Sequence, residues 1–189
     1  PMNKLNVGCG PFYADGWINV DVHENEDIHP DFVVDSKEPY PFPDGYFNAV
    51  YMGHVLEHLP WDSVEPFLNE ISRIAAPDAI FMVVGPDMLR VLDMWKKDEM
   101  STHEVIIALE HQDTSYQNDR EEIEWDGAPH YWNCHESRVE KLLSKMGFKE
   151  ITNEHESLII NQEHIKGIDW PVVSHVQWQL AISFKNKDK

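Results

Sequence analysis

Lys4-Leu5-Asn6-Val7-Gly8-Cys9-Gly10-Pro11 is a short apolar run that stops on two glycines one residue apart. A few residues later, Trp17-Ile18-Asn19-Val20-Asp21-Val22 is a second apolar run carrying one carboxylate. Strand, glycine turn, strand and acid together describe a nucleotide pocket. The glycines let the backbone approach a ligand with no Cβ in the way. An acid at the end of the following strand can accept both ribose hydroxyls.

Working outward, the chain alternates strands with crossovers. Phe32-Val33-Val34 is a third short strand, closed by Asp35-Ser36. Three prolines and a glycine between Glu38 and Gly45 force an extended path. Phe47 to Tyr51 reads as a fourth strand. A helix opens at Trp61-Asp62-Ser63-Val64-Glu65, with Asp62 and Glu65 spaced as a capping box. Val64, Phe67, Leu68, Ile71 and Ile74 give it one apolar face. Ala79 to Val84 is a continuous apolar run, as expected of a central strand covered on both faces.

Beyond it, two helices are expected over 88–97 and 102–110. Asp87 is placed to cap the first, and Ser101 with Glu104 to cap the second. A polar stretch from His111 to Gly127 leads into the aromatic run His130-Tyr131-Trp132. Ser137 to Met146 is a further helix, with Gly147 at its C-terminal cap and Phe148 in the contact after it. Two last strands fit Phe148–Asn153 and His175–Phe184.

This order predicts an α/β fold: a Rossmann-like, doubly wound, mostly parallel seven-stranded sheet with a helical and loop insertion after the fifth strand. The expected organisation is a single domain over 1–189, with 87–135 as a substrate-selecting insertion. Ligands of such sheets bind beyond the carboxyl ends of the strands. Gly8–Gly10, Asp21, Asp35, the loop after Tyr51 and Asp87 are all strand ends, so they converge on one edge.

Composition bounds the partners. Fifteen Lys and Arg against 34 Asp and Glu give a net charge of −19, which repels phosphate backbones and argues against nucleic acid. No apolar run reaches the roughly 20 residues of a bilayer span, so no membrane association is expected. A first strand this near the start predicts no secretory leader. Two cysteines, Cys9 and Cys134, make no disulfide framework and fit a reducing cytoplasm. The sequence leaves the oligomeric state open.

The landmarks match a family. The chain resembles the class I S-adenosylmethionine-dependent methyltransferases, in their small stand-alone branch. The resemblance rests on Asn6-Val7-Gly8-Cys9-Gly10, Asn19-Val20-Asp21, Asp35-Ser36, Pro41 to Val50, His54-Val55-Leu56-Glu57-His58, Asn69-Glu70-Ile71-Ser72-Arg73 and Lys145-Met146-Gly147-Phe148, in that order. It implies S-adenosyl-L-methionine as cofactor and a methyltransferase activity on a small-molecule substrate, through oxygen or nitrogen. It also implies a cofactor site of Asn6, Gly8, Cys9, Gly10, Asp21, Val22, Asp35, Ser36, Met52, Gly53 and His54. Asp21 would take the ribose, and Asp35 with Ser36 the adenine. A non-catalytic cofactor-binding protein of the same fold is the alternative reading.

The chain departs from the family's pattern in three places. Ten residues between Gly10 and Asp21 are too few for a full crossover helix. Pro77-Asp78-Ala79 stands where the family has proline and two glycines, so that turn must differ. Phe47-Asn48 replaces the usual Phe-Asp.

Methyl transfer needs near-attack geometry more than a catalytic engine. His54, Asp87 and His130 are the candidates for the acceptor side. His54-x-x-Glu57-His58 also spells the inverted zinc-protease motif, which requires both histidines on one helix. Pro60 follows too soon for that, so no metal is expected.

Overall fold

The computed structural model describes residues 2–35, 38–110, 130–131, 134–172 and 175–188. The insertion residues 111–129, and Ser36 and Trp132 with them, lie outside the described residues. Seven strands form one sheet: β1 (Lys4–Val7), β2 (Ile18–Asp21), β3 (Phe32–Val33), β4 (Phe47–Gly53), β5 (Ala75–Pro86), β6 (Lys149–Asn153) and β7 (Gln179–Lys185). Their order is β3-β2-β1-β4-β5-β7-β6, and β7 alone runs against its neighbours. The helices are α1 (Trp61–Ile74), α2 (Met88–Lys96), α3 (Thr102–Glu110) and α4 (Glu136–Lys145). The expected mixed, mostly parallel α/β sheet is what forms.

Strand alternation divides the core in two. On one face Leu5, Val7, Val50, Met52, Phe81 and Phe184 pack against Phe67, Leu68 and Ile71 of α1 and Val139 and Leu143 of α4. On the other, Tyr51, Met82, Val84 and Ala181 pack against Trp17, Leu158, Ile159 and Trp170. No crossover helix covers this second face between β1 and β2: residues 8–17, all described, run as turns. A short π-helical turn, His155–Ile160, and the segment behind it cover the face instead. Trp170 packs 5.6 Å from Trp17 and 6.4 Å from Tyr51, centroid to centroid.

Two polar devices stand where the sequence departs from the expected pattern. Asn19 is fully buried and braces the helix-free loop: it accepts from Ala14 N at 2.8 Å and from the Asn6 amide at 2.9 Å, and donates to Ala14 O and Trp17 O. At Pro77-Asp78-Ala79 there is no separate turn. β5 starts at Ala75 and bulges against β4, with pairing shifted between Phe47–Ala75 and Ala49–Ile80. Asn186, just after β7, clamps the bulge by donating to Ser72 O, Ala75 O and Ala76 O at 3.0–3.1 Å.

Capping differs from expectation at α1. α1 begins directly after Pro60, and no side chain among the described residues caps it. α4 takes its cap from outside itself, as described below. The expected Ser101–Glu104 box forms in full, with Ser101 N to Glu104 Oε2 at 2.7 Å and Glu104 N to Ser101 Oγ at 3.2 Å. Gly147 (φ +86°) ends α4 in a Schellman motif, through Phe148 N to Leu143 O and Gly147 N to Ser144 O. β7 begins four residues later than expected, at Gln179.

Candidate functional site

A cavity of about 460 Å³ opens beyond the carboxyl ends of β1, β2 and β4, within the range of small-molecule sites. Its walls include Asn6, Gly8, Cys9, Gly10, Asp21, Val22, Gly53 and His54. These eight were expected there. The convergence follows from the topology: β1 lies between β2 and β4, so the three strand ends share one rim.

The glycine turn leaves β1 with two left-handed residues, Gly8 (φ +63°) and Gly10 (φ +51°). A Cβ on Gly8 would stand 2.7 Å from Val55 Cγ2, whereas at Gly10 it would meet open space. Gly8 is therefore fixed by packing, and Gly10 by its backbone angle. Cys9 is buried between them. Burial, then the Asp21 charge, pushes its thiol up to about 11, so it is neutral and unreactive.

Asp21 ties the turn to β2. Its Oδ2 accepts from Gly10 N at 2.8 Å and its Oδ1 from His23 N at 3.0 Å. Each carboxylate oxygen can accept twice, so the set has capacity left for ligand hydroxyls.

His54 follows β4 at φ +55°, a left-handed conformation that costs a non-glycine residue about 1–2 kcal/mol. Three contacts hold it there. Its N–H donates to Val84 O at 2.8 Å, and Gln179 Nε2 lies 2.6 Å from its Nε2. Its Nδ1 stands 3.0 Å from Glu57 Oε1, close enough for an ion pair though not aligned as a full hydrogen bond. Glu57 is 1% exposed. Burial pushes its carboxyl upward, but contact with His54 and the charges of His54 and His58 hold it below the usual glutamate range.

The structure corrects several expectations. Met52 is fully buried on the opposite face of β4, because only Tyr51 and Gly53 alternate toward the cavity. Asp35 is exposed and absent from the lining, where its neighbour Val34 stands instead. Asp87 is also absent from the lining. It is 3% exposed and serves two helix ends at once. Its Oδ1 accepts from Leu89 N and Arg90 N of α2, and its Oδ2 from Glu136 N of α4. His130 lies behind the wall, its ring 4.7 Å from that of His58.

The zinc-protease arrangement does not form either. Leu56–His58 is a single 3₁₀ turn, and His54 and His58 have different surroundings.

Tyr51, expected in the loop under the sulfonium, lines the cavity, and so do His58 and Pro171, which were not expected there. Pro171 comes from the segment that replaces a crossover helix, and no local pattern announces it. The phenol of Tyr51 lies over Gly53, so a Cβ there would fall inside the van der Waals shell of its Oη. Burial, then the Glu57 charge, pushes the Tyr51 hydroxyl well above its ordinary range.

Residues 5–83 match the family described as methyltransferase domain. Among curated proteins, none matches the chain. Solved structures share the methyltransferase fold at low identity. A SAM-dependent methyltransferase from Archaeoglobus fulgidus is 15% identical with a TM-score of 0.56, over 97% of this chain and 86% of that one. One from Methanosarcina mazei is 14% identical with a TM-score of 0.58, over 98% and 93%. The 1,6-didemethyltoxoflavin-N1-methyltransferase of Burkholderia thailandensis, solved with 1,6-didemethyltoxoflavin and S-adenosylhomocysteine, is 12% identical with a TM-score of 0.54, over 100% and 72%. No helix among the described residues of this chain is long and apolar enough to cross a membrane.

Proposed function

We propose that this chain is a methyltransferase that takes its methyl group from S-adenosylmethionine and passes it in line to an oxygen or nitrogen of a small molecule. The observation that carries the reading is the rim itself. A glycine turn free of side chains and a carboxylate with spare acceptor capacity face one cavity, opposite a histidine held in a strained conformation. These residues fit the cofactor. Asp21 would hold the ribose hydroxyls, and Gly8 to Gly10 would pass along the methionine part. Bound there, the sulfonium supplies an electrophilic methyl carbon.

The chain's own contribution is alignment and a route for the acceptor's proton. His54 faces the cavity, and Glu57 beside its Nδ1 stabilises the charge it would gain on taking a proton. An acceptor hydroxyl or amine at Nε2 would take the place of the Gln179 amide. Asp87 organises two helices behind the site, and residues 87–135 select the acceptor. The buried free thiols of Cys9 and Cys134 support a reducing cytoplasm as the setting. The net charge of −19 supports a small molecule over a nucleic acid.

Calorimetry with S-adenosylmethionine and S-adenosylhomocysteine tests the reading. Asp21→Ala is expected to weaken both by about tenfold or more, as loss of a charged acceptor does. Failure of the native protein to bind either at millimolar concentration would sink the proposal.

A further inference from the structure

At the cavity wall and behind it, three side chains from two distant parts of the chain meet. Glu57 and His58 lie on the 3₁₀ turn, and His130 arrives from 72 positions further along the chain. The main chain docks the two segments, with Tyr131 N donating to Glu57 O at 2.8 Å. One ligand atom from each of Glu57, His58 and His130 lies within 4.8 Å of the other two. From these residues we infer a binding site for a divalent transition-metal ion, Zn²⁺ foremost.

Two imidazoles and one carboxylate are a donor set that Zn²⁺ takes, at bond lengths of about 2.0–2.2 Å. In a tetrahedral site, donors at these bond lengths stand about 3.4 Å from one another. The observed spread therefore closes with side-chain shifts alone.

Further features fit a cation. His130 Nδ1 stands 2.9 Å from Leu109 O, so Nδ1 carries the proton and Nε2 is the unprotonated ring nitrogen. Metal-binding histidines are oriented by this kind of contact to a backbone carbonyl. The Glu57 carboxylate is seated over Gly85 of β5, where a Cβ would come within 3.3 Å of Oε2. It is a buried anion in a chain of net charge −19, and burial of such a charge requires compensation. Three protein ligands leave at least one coordination position for water or another oxygen. The site is distinct from the His54-x-x-Glu57-His58 reading, because His130 replaces His54 as the second histidine. It stands independently of any methyl acceptor.

The full chain, stripped with chelator and dialysed, is titrated with Co²⁺ under visible spectroscopy and with Zn²⁺ by calorimetry. One equivalent is expected to bind with the intense d–d bands of a low-symmetry site. His130→Ala should weaken it by about 100-fold. His58→Ala and Glu57→Gln should act alike, whereas His164→Ala, at an exposed histidine outside the cluster, should leave it unchanged. Circular dichroism reports folding. Should His58→Ala fail to fold, His130→Ala, on the docked segment, carries the test alone. Absence of saturable binding, or binding that survives His130→Ala, overturns the inference.

Discussion

Asn6 and Asn19 stand opposite one another in the parallel pair of β1 and β2, and the Asn6 amide donates to Asn19 Oδ1 at 2.9 Å. Around this pair the chain turns from Gly8 to Trp17 with no helix to stiffen it. Asn19 also bonds Ala14 and Trp17, so one buried side chain holds both ends of the loop. Asn19→Ala leaves several buried groups unsatisfied and should cost about 3 kcal/mol. For a chain of this length that lowers Tm by roughly 10 °C. A thermal melt checks it, and a fall of only a degree or two would show that the loop is held by other contacts.

Asp87 joins α2 to α4 through its two oxygens. Asp87→Ala should lose about 2–3 kcal/mol of stability, from one N-cap and one further buried N–H. Cofactor affinity should stay within about twofold, as one pKd step of tenfold needs 1.4 kcal/mol at the site itself. Denaturant unfolding and calorimetry on the same sample separate the two effects. Unchanged stability with abolished turnover would return Asp87 to the acceptor side.

Gly53 clears room for the Tyr51 ring at the cavity edge. Gly53→Ala must displace that ring, and overpacking of this kind costs about 1–3 kcal/mol. Because Tyr51 lines the cavity, cofactor affinity should fall by about tenfold or more. The Tyr51→Leu background removes the collision, so the same Gly53→Ala change should cost less there. Equal losses in both backgrounds would contradict this origin.

His155 gives the fold a pH dependence. Burial, then the nearby Arg90 charge, holds its imidazole below the ordinary histidine range, against the opposing pull of its contact with Gln179 O and the charges of Glu136 and Glu156. The folded state therefore prefers neutral His155. Its contribution is fully present above the unfolded value of about 6.5 and is lost as pH falls from there through the folded value. Urea midpoints should drop between pH 7.5 and pH 5.5 (about 1 unit either side of that value), and His155→Gln should flatten this part of the profile.

The strands before α1 and the glycine rim were legible because they are local: apolar runs ended by Gly8, Asp21 and Gly53. Schellman closure at Gly147 and the box at Ser101 were legible for the same reason. Asp87 was read correctly as a cap for α2, but its second partner, Glu136, is 49 residues away and leaves no trace in the local pattern. Met52 was misplaced because a loop assignment hid the strand's two-residue alternation. The approach of His130 to His58 depends on how the chain returns across 72 positions, which no spacing rule encodes.

Placing β7 between β5 and β6 has a consequence for synthesis. As the ribosome proceeds from the amino end, β5 emerges with one open edge, and β6 emerges with no partner at all until residues 179–185 follow. The Asn186 clamp on the α1–β5 joint arrives later still. A nascent chain paused before β7 thus exposes a long apolar strand edge, the kind of surface that invites pairing with another chain. Completion of this fold is timed by its final strand, and chaperone dependence should concentrate in that interval.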